Sequence, residues 1–164
     1  MRAKYSCESE DEDEKALFAL ERHQRNAAKS HAAVKVSTPY SIPALVVDDE
    51  DMNVDIMKEL LKAQNYESDL SLNEQKAIQL FKERVQKVKR GEAEMYKIVL
   101  LDYSMPGIGG LEVARIICKL VQEHDLKKPY LCCCTAYTSE RHRNIAISAG
   151  FDRFLTKPVT ADDI

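Results

Sequence analysis

From residue 44 onward the chain alternates short, unbroken apolar runs with stretches whose apolar residues recur at steps of three and four. Unbroken runs suit parallel strands buried on both faces, and steps of three and four suit helices with one face on a core. The runs predict strands over 44–47, 97–101, 129–134 and 151–155, and a weaker one is read over 66–71. A first helix follows from about Met52, with Val54, Met57 and Leu61 on one face. Asn73 is placed to cap a second, carrying Ala77, Phe81, Val85 and Val88 and ending near Gly91. A third runs from Leu111 to about Glu123 with Val113, Ile117 and Leu120 inward, and a fourth from Ser139 to Ala149 with Gly150 as its terminator. Thr160 has the chemistry of an N-cap for a fifth helix, of which only the first turn fits before Ile164. Five strands alternating with helices predict an α/β fold: a flavodoxin-like, doubly wound parallel sheet of order 2-1-3-4-5 with a truncated fifth helix.

Residues 1–41 follow a different pattern. Glu8–Glu14 is nearly all acidic, and Lys15–Val34 is rich in Ala, Glu, Arg and Lys, a helix-friendly composition without a sustained apolar stripe. Pro39 and Pro43 then punctuate the chain. The expectation is an acidic, helical tail or linker over 1–41 and one folded domain over 42–164.

Charge and composition narrow the function. A net charge of -3 gives no pull toward nucleic acid, and no basic reading element is evident. No apolar run approaches the roughly 18 residues of a membrane span, and the N-terminus lacks the apolar core of a secretory signal, so a cytoplasmic setting is expected. Five cysteines, three of them consecutive (Cys132–Cys134), do not space as a disulfide framework. On a strand Cys133 would face away from its two neighbours, so burial as small apolar side chains is the expectation rather than metal binding.

The polar residues are informative at the strand ends, where ligands bind in open α/β sheets. Strand one ends in Asp48-Asp49, strand three in Asp102, strand four in Thr135 and strand five in Lys157. With strands one and three adjacent, three carboxylates crowd one rim, and their repulsion calls for protons or a cation. An all-oxygen site with open positions suits Mg²⁺, which keeps several waters and shares its coordination with phosphate oxygens.

These residues lie in segments that resemble the response-regulator receiver family: Val46-Val47-Asp48-Asp49-Glu50, Leu100-Leu101-Asp102-Tyr103-Ser104-Met105-Pro106-Gly107, Thr135-Ala136 and Phe154-Leu155-Thr156-Lys157-Pro158. The resemblance implies that Asp102 accepts a phosphoryl group from a phosphohistidine, with Asp49, Asp102 and the Ser104 carbonyl holding Mg²⁺ and Asp48 acting through coordinated water. It implies that Lys157 pairs with the phosphoryl oxygens, that Thr135 and Phe154 form the conformational switch, and that Lys157–Pro158 is cis. Ser104 and Tyr137 would flank the approach of hydrolytic water, with the Tyr137 ring placed to shield the phosphoryl group. The implied partners are a histidine kinase or a histidine phosphotransfer protein.

Two departures stand out. The stretch between Asp49 and Asp102 is longer than in compact bacterial members, and Gly109 stands where the family often has an Asp that caps the third helix. The expected context is the receiver of a hybrid sensor histidine kinase, and the alternative is a stand-alone response regulator acting as a shuttle. An aspartyl phosphatase is disfavoured, because Ser104 occupies the position where such enzymes usually carry their second acid.

Overall fold

In the structure, a computed structural model, residues 41–164 are described. The acidic run and the helix-friendly stretch before Pro39 lie outside the described residues. The elements are β1 (Ile42–Val47), α1 (Asp51–Ala63), β2 (Tyr66–Ser71), α2 (Glu74–Lys89), β3 (Ile98–Asp102), α3 (Gly109–Glu123), β4 (Tyr130–Thr135), α4 (Glu140–Ser148), β5 (Arg153–Thr156) and a 3₁₀ turn (Ala161–Asp163). The sheet is parallel throughout, in the order β2-β1-β3-β4-β5. The order reverses between β1 and β3, where Val46 pairs with Leu100 and Val47 with Leu101.

Side-chain alternation along the strands sorts the core into two layers. On one face Leu45, Val47, Val99, Leu101, Leu131 and Cys133 meet α2, α3 and α4 through residues including Phe81, Val113, Ile117 and Ala146. On the other Val46, Leu100, Cys132, Cys134 and Leu155 meet Val54, Met57 and Leu61 of α1. The three consecutive cysteines thus point alternately into opposite layers, and burial pushes the Cys132 and Cys133 thiols up to about 12. They pack as small apolar side chains.

Asn73 caps α2 as expected, while Ser139, read as the first residue of a helix, is the cap of α4. The Asn73 side chain accepts from the Lys76 amide and that of Ser139 from the His142 amide. Thr160 donates both its amide and its hydroxyl to Asp163, closing the 3₁₀ turn.

Several boundaries differ from those read in the sequence: β3 and β4 each lie one residue later than expected, at Ile98–Asp102 and Tyr130–Thr135. β1 begins at Ile42 and includes Pro43, which is tolerated because the β1–β3 ladder starts only at Ala44. β5 begins at Arg153 because the Phe151 amide still closes α4 onto Ala146, with Gly150 at φ +104 making the turn. α3 starts two residues early, at Gly109.

The long connection after α2 is held by a polar cluster. The Arg84 guanidinium donates to Asp69 at 2.8 Å and lies over the Tyr96 ring, and the Tyr96 hydroxyl donates to the same Asp69 oxygen at 2.6 Å. Burial works to raise the Asp69 pKa, but the bonds from Tyr96 and Arg84 outweigh it and hold the carboxyl below its ordinary value of 3.8. A carboxylate depressed in this way stabilises the fold above its unfolded pKa and ceases to do so as pH falls through the folded one. Asp69→Asn is therefore expected to lower the Tm at neutral pH, with the difference shrinking as pH drops below that ordinary value. A pH-independent difference would contradict the ion-pair account.

Candidate functional site

The carboxyl ends of β1, β3, β4 and β5 bring four of the anticipated side chains to one rim. Asp48 and Asp102 are buried, at 0% and 4% exposure, as is Thr135 at 1%. Such burial of two acids from adjacent strands requires a compensating charge. Lys157 supplies it, with Nζ 2.6 Å from Asp48 Oδ2 and 2.7 Å from Asp102 Oδ1.

Each carboxylate also has a fixed donor from its own loop. Asp48 Oδ1 accepts from the Glu50 amide at 3.1 Å and from the Asn53 side chain at 2.9 Å. Asp102 Oδ2 accepts from the Ser104 amide at 3.0 Å. Burial raises the Asp102 carboxyl above its ordinary range, aided by the nearby Asp48 charge and only partly offset by Lys157 and Ser104. Burial alone would lower Lys157, yet Asp102 and Asp48 together push it above its ordinary value, so it stays an ammonium.

The other anticipated residues take different positions. Asp49 is solvent-exposed, and among the described residues no three His, Cys, Asp or Glu side chains are gathered as a ready cage for a metal. Ser104 is exposed and Phe154 half-buried on β5, with the Arg143 guanidinium 5.9 Å over its ring. The Thr135 hydroxyl accepts from the Tyr137 amide at 3.0 Å, and its carbonyl accepts from the Lys157 amide at 2.8 Å, which ties the β4 and β5 ends together. The Lys157–Pro158 bond is cis. The Tyr137 ring stacks on His142 of α4, with centroids 4.5 Å apart, and meets Tyr103 edge-on.

The donor set fits Mg²⁺. Asp48 Oδ2 is buried and has no aligned hydrogen-bond donor despite its closeness to the lysine charge. Three carboxylates against one ammonium leave excess negative charge, and all the available ligands are oxygen. A small cation that keeps waters needs only one or two carboxylates from the protein, so a ready three-acid cage is not required.

Three residues at or near this rim were not singled out in the sequence. Asn53 orients Asp48, and its place in the first turn of α1 is an ordinary helix position. His142 was expected only as a helix residue. Glu74 is 3% exposed at the start of α2, where an acid is usually solvated.

Residues 44–164 match the family model described as "Response regulator receiver domain". The chain is 28% identical over 115 residues to hybrid signal transduction histidine kinase M of Dictyostelium discoideum, spanning 70% of this chain but only 4% of the kinase. It is 30% identical over 115 residues to an uncharacterized 14.6 kDa protein of Leptolyngbya boryana, covering 70% of this chain and 78% of that protein. Among solved structures, the receiver domain of the Arabidopsis thaliana histidine kinase CKI1, complexed with Mg²⁺, superposes with a TM-score of 0.64 at 22% identity, covering 71% of this chain and 83% of that one.

Proposed function

This chain belongs to the response regulator receiver family, a phosphorelay signalling domain, and we propose that Asp102 is its phosphoryl acceptor in a Mg²⁺-dependent reaction. The observation that carries the reading is the Asp48–Lys157–Asp102 arrangement at the topological switch point.

An Asp102 oxygen attacks the phosphorus of a partner's phosphohistidine as the P–N bond breaks. The bonding pair passes to the imidazole nitrogen, and the ring leaves neutral with a proton on its other nitrogen. A carboxylate is a weak nucleophile, so in-line positioning and charge neutralisation supply the rate. Asp49, Asp102 and the Ser104 carbonyl would hold Mg²⁺ directly, with Asp48 acting through its water; the ion offsets charge on the phosphoryl oxygens. Lys157 keeps Asp102 oriented and turns its ammonium to a phosphoryl oxygen. The Thr135 hydroxyl leaves the Tyr137 amide for the phosphoryl group, and Phe154 moves into the space vacated.

The proposed boundaries are a linker over 1–41 and the receiver over 42–164, in a cytoplasmic setting with a histidine kinase or phosphotransfer protein as partner. Similarity to hybrid kinases supports the receiver of such a kinase as the parent context. The match to most of a 14.6 kDa protein favours a second reading, a stand-alone regulator. Among the described residues no helix is long and apolar enough to cross a membrane.

Metal dependence tests the proposal. Mg²⁺ at 100 times its Kd should stabilise the fold by about 2.7 kcal/mol, because it binds the native rim and not the unfolded chain. Asp49→Ala should remove most of that gain. Acetyl phosphate should add one phosphoryl group with Mg²⁺ present and none with chelator. Identical melting and labelling with and without the ion would contradict the reading.

A further inference from the structure

The geometry points to Glu74 as a positioning residue for the loop that carries the acceptor, reaching it from a different helix. This inference rests on the reading of Asp102 as acceptor. α3 has no cap of its own: Ile108 makes no side-chain cap bond, and Gly109 has no side chain. The Gly109 amide instead donates to Glu74 Oε1 at 3.3 Å, across 35 residues of sequence.

The Glu74 carboxylate is buried, and no ion pair to a cation is found for it among the described residues. It sits at the first position of α2 and accepts from the first amide of the incoming α3. Helix N-termini present unpaired amides and partial positive charge, which offset the burial of the acid.

The contact bears on Asp102 through backbone alone. The Gly110 amide donates to the Tyr103 carbonyl, and a Cβ on Gly110 would overlap the Asp102 carbonyl oxygen. The start of α3 therefore rests directly on the acceptor's own peptide. Gly107, at φ +96, leaves room for Glu74: a Cβ there would stand 2.5 Å from Oε1. Glu74 thus holds the Gly109 end of the loop by a bond and lies close against Gly107.

The test uses the whole chain and two conservative variants. Glu74→Asp keeps a charge at the N-terminus of α2 but withdraws the carboxylate by one methylene from Gly109. Glu74→Gln keeps an oxygen at full reach. Three quantities are read well below the melting temperature: hydrogen exchange of the Gly109 amide, Mg²⁺ affinity by NMR titration without any phosphodonor, and the labelling rate with acetyl phosphate. Glu74→Asp is expected to deprotect Gly109 and to weaken Mg²⁺ binding and slow labelling by roughly tenfold each, the scale of losing a group that orients a metal site. Glu74→Gln is expected to retain most of all three. Parental Mg²⁺ affinity and labelling in Glu74→Asp, with only a lower Tm, would reduce Glu74 to a structural cap and overturn the inference. A parent chain that takes no label at all would overturn the acceptor reading first and the positioning role with it, an outcome distinct from a labelled parent and an indifferent variant.

Discussion

Lys157→Met is expected to cost the fold roughly 3–5 kcal/mol, the scale of removing one partner from a buried charge cluster. The lysine side chain is 22% exposed, but the Asp48 and Asp102 side chains that it joins are 0% and 5% exposed. Methionine preserves much of the packing of the aliphatic stem, so the loss isolates the charge. Without the ammonium, two neighbouring carboxylates face each other in a site with little access to water, and Asp102, already raised by burial, would be driven further up. Mg²⁺ relieves the same repulsion, so it should stabilise the variant more than the parent. Labelling should still fall by about 10²-fold, because a cation aimed at the transferring group has gone. Denaturant melts with and without Mg²⁺, together with labelling rates, check both parts. Parental stability and labelling in the variant would mean that the lysine is a solvated loop residue. Exposed pairs such as Lys62–Glu59, whose side chains are 70% and 64% exposed, offer the contrast: there the same deletion should change stability by no more than about 1 kcal/mol.

How much was legible in the sequence depended on whether the signal was local. Ala44–Val47 and Ile98–Leu101 read as central strands because both of their faces are buried, and a continuous apolar run has few other uses in so short a segment. Once five strands were in place, the parallel topology put Asp48, Asp102, Thr135 and Lys157 on one rim without further information. Asn73 was legible as a cap because capping is a contact over three residues. Where a long-range contact decided the matter, the sequence was silent. Nothing local marks Glu74 as buried, since its partner lies 35 residues on. The missing cap at Gly109 was visible in the sequence, but its replacement was not. The Tyr137 ring stacks on His142, a partner that depends on how α4 docks and that nothing local in the sequence marks. Phe151 read as strand because it is apolar and follows a glycine, yet its amide is committed to the end of α4.

Asp102→Asn carries the largest functional effect, a complete loss of labelling. The substitution is nearly isosteric, but an amide oxygen is not a competent nucleophile toward phosphorus, so no partial rate should remain at this position. Stability should not fall with it. The Asp102 pKa is raised in the folded state, so above its ordinary value of 3.8 the ionised carboxylate weighs against folding; a neutral amide removes that cost, which offsets its having an acceptor for only one of the two donors, Lys157 and Ser104. A variant that melts like the parent therefore separates loss of chemistry from loss of fold. Intact-mass measurement after incubation with acetyl phosphate and Mg²⁺ decides the matter most directly. One added phosphoryl group is expected on the parent and none on Asp102→Asn; full labelling of that variant would rule out Asp102 as the acceptor.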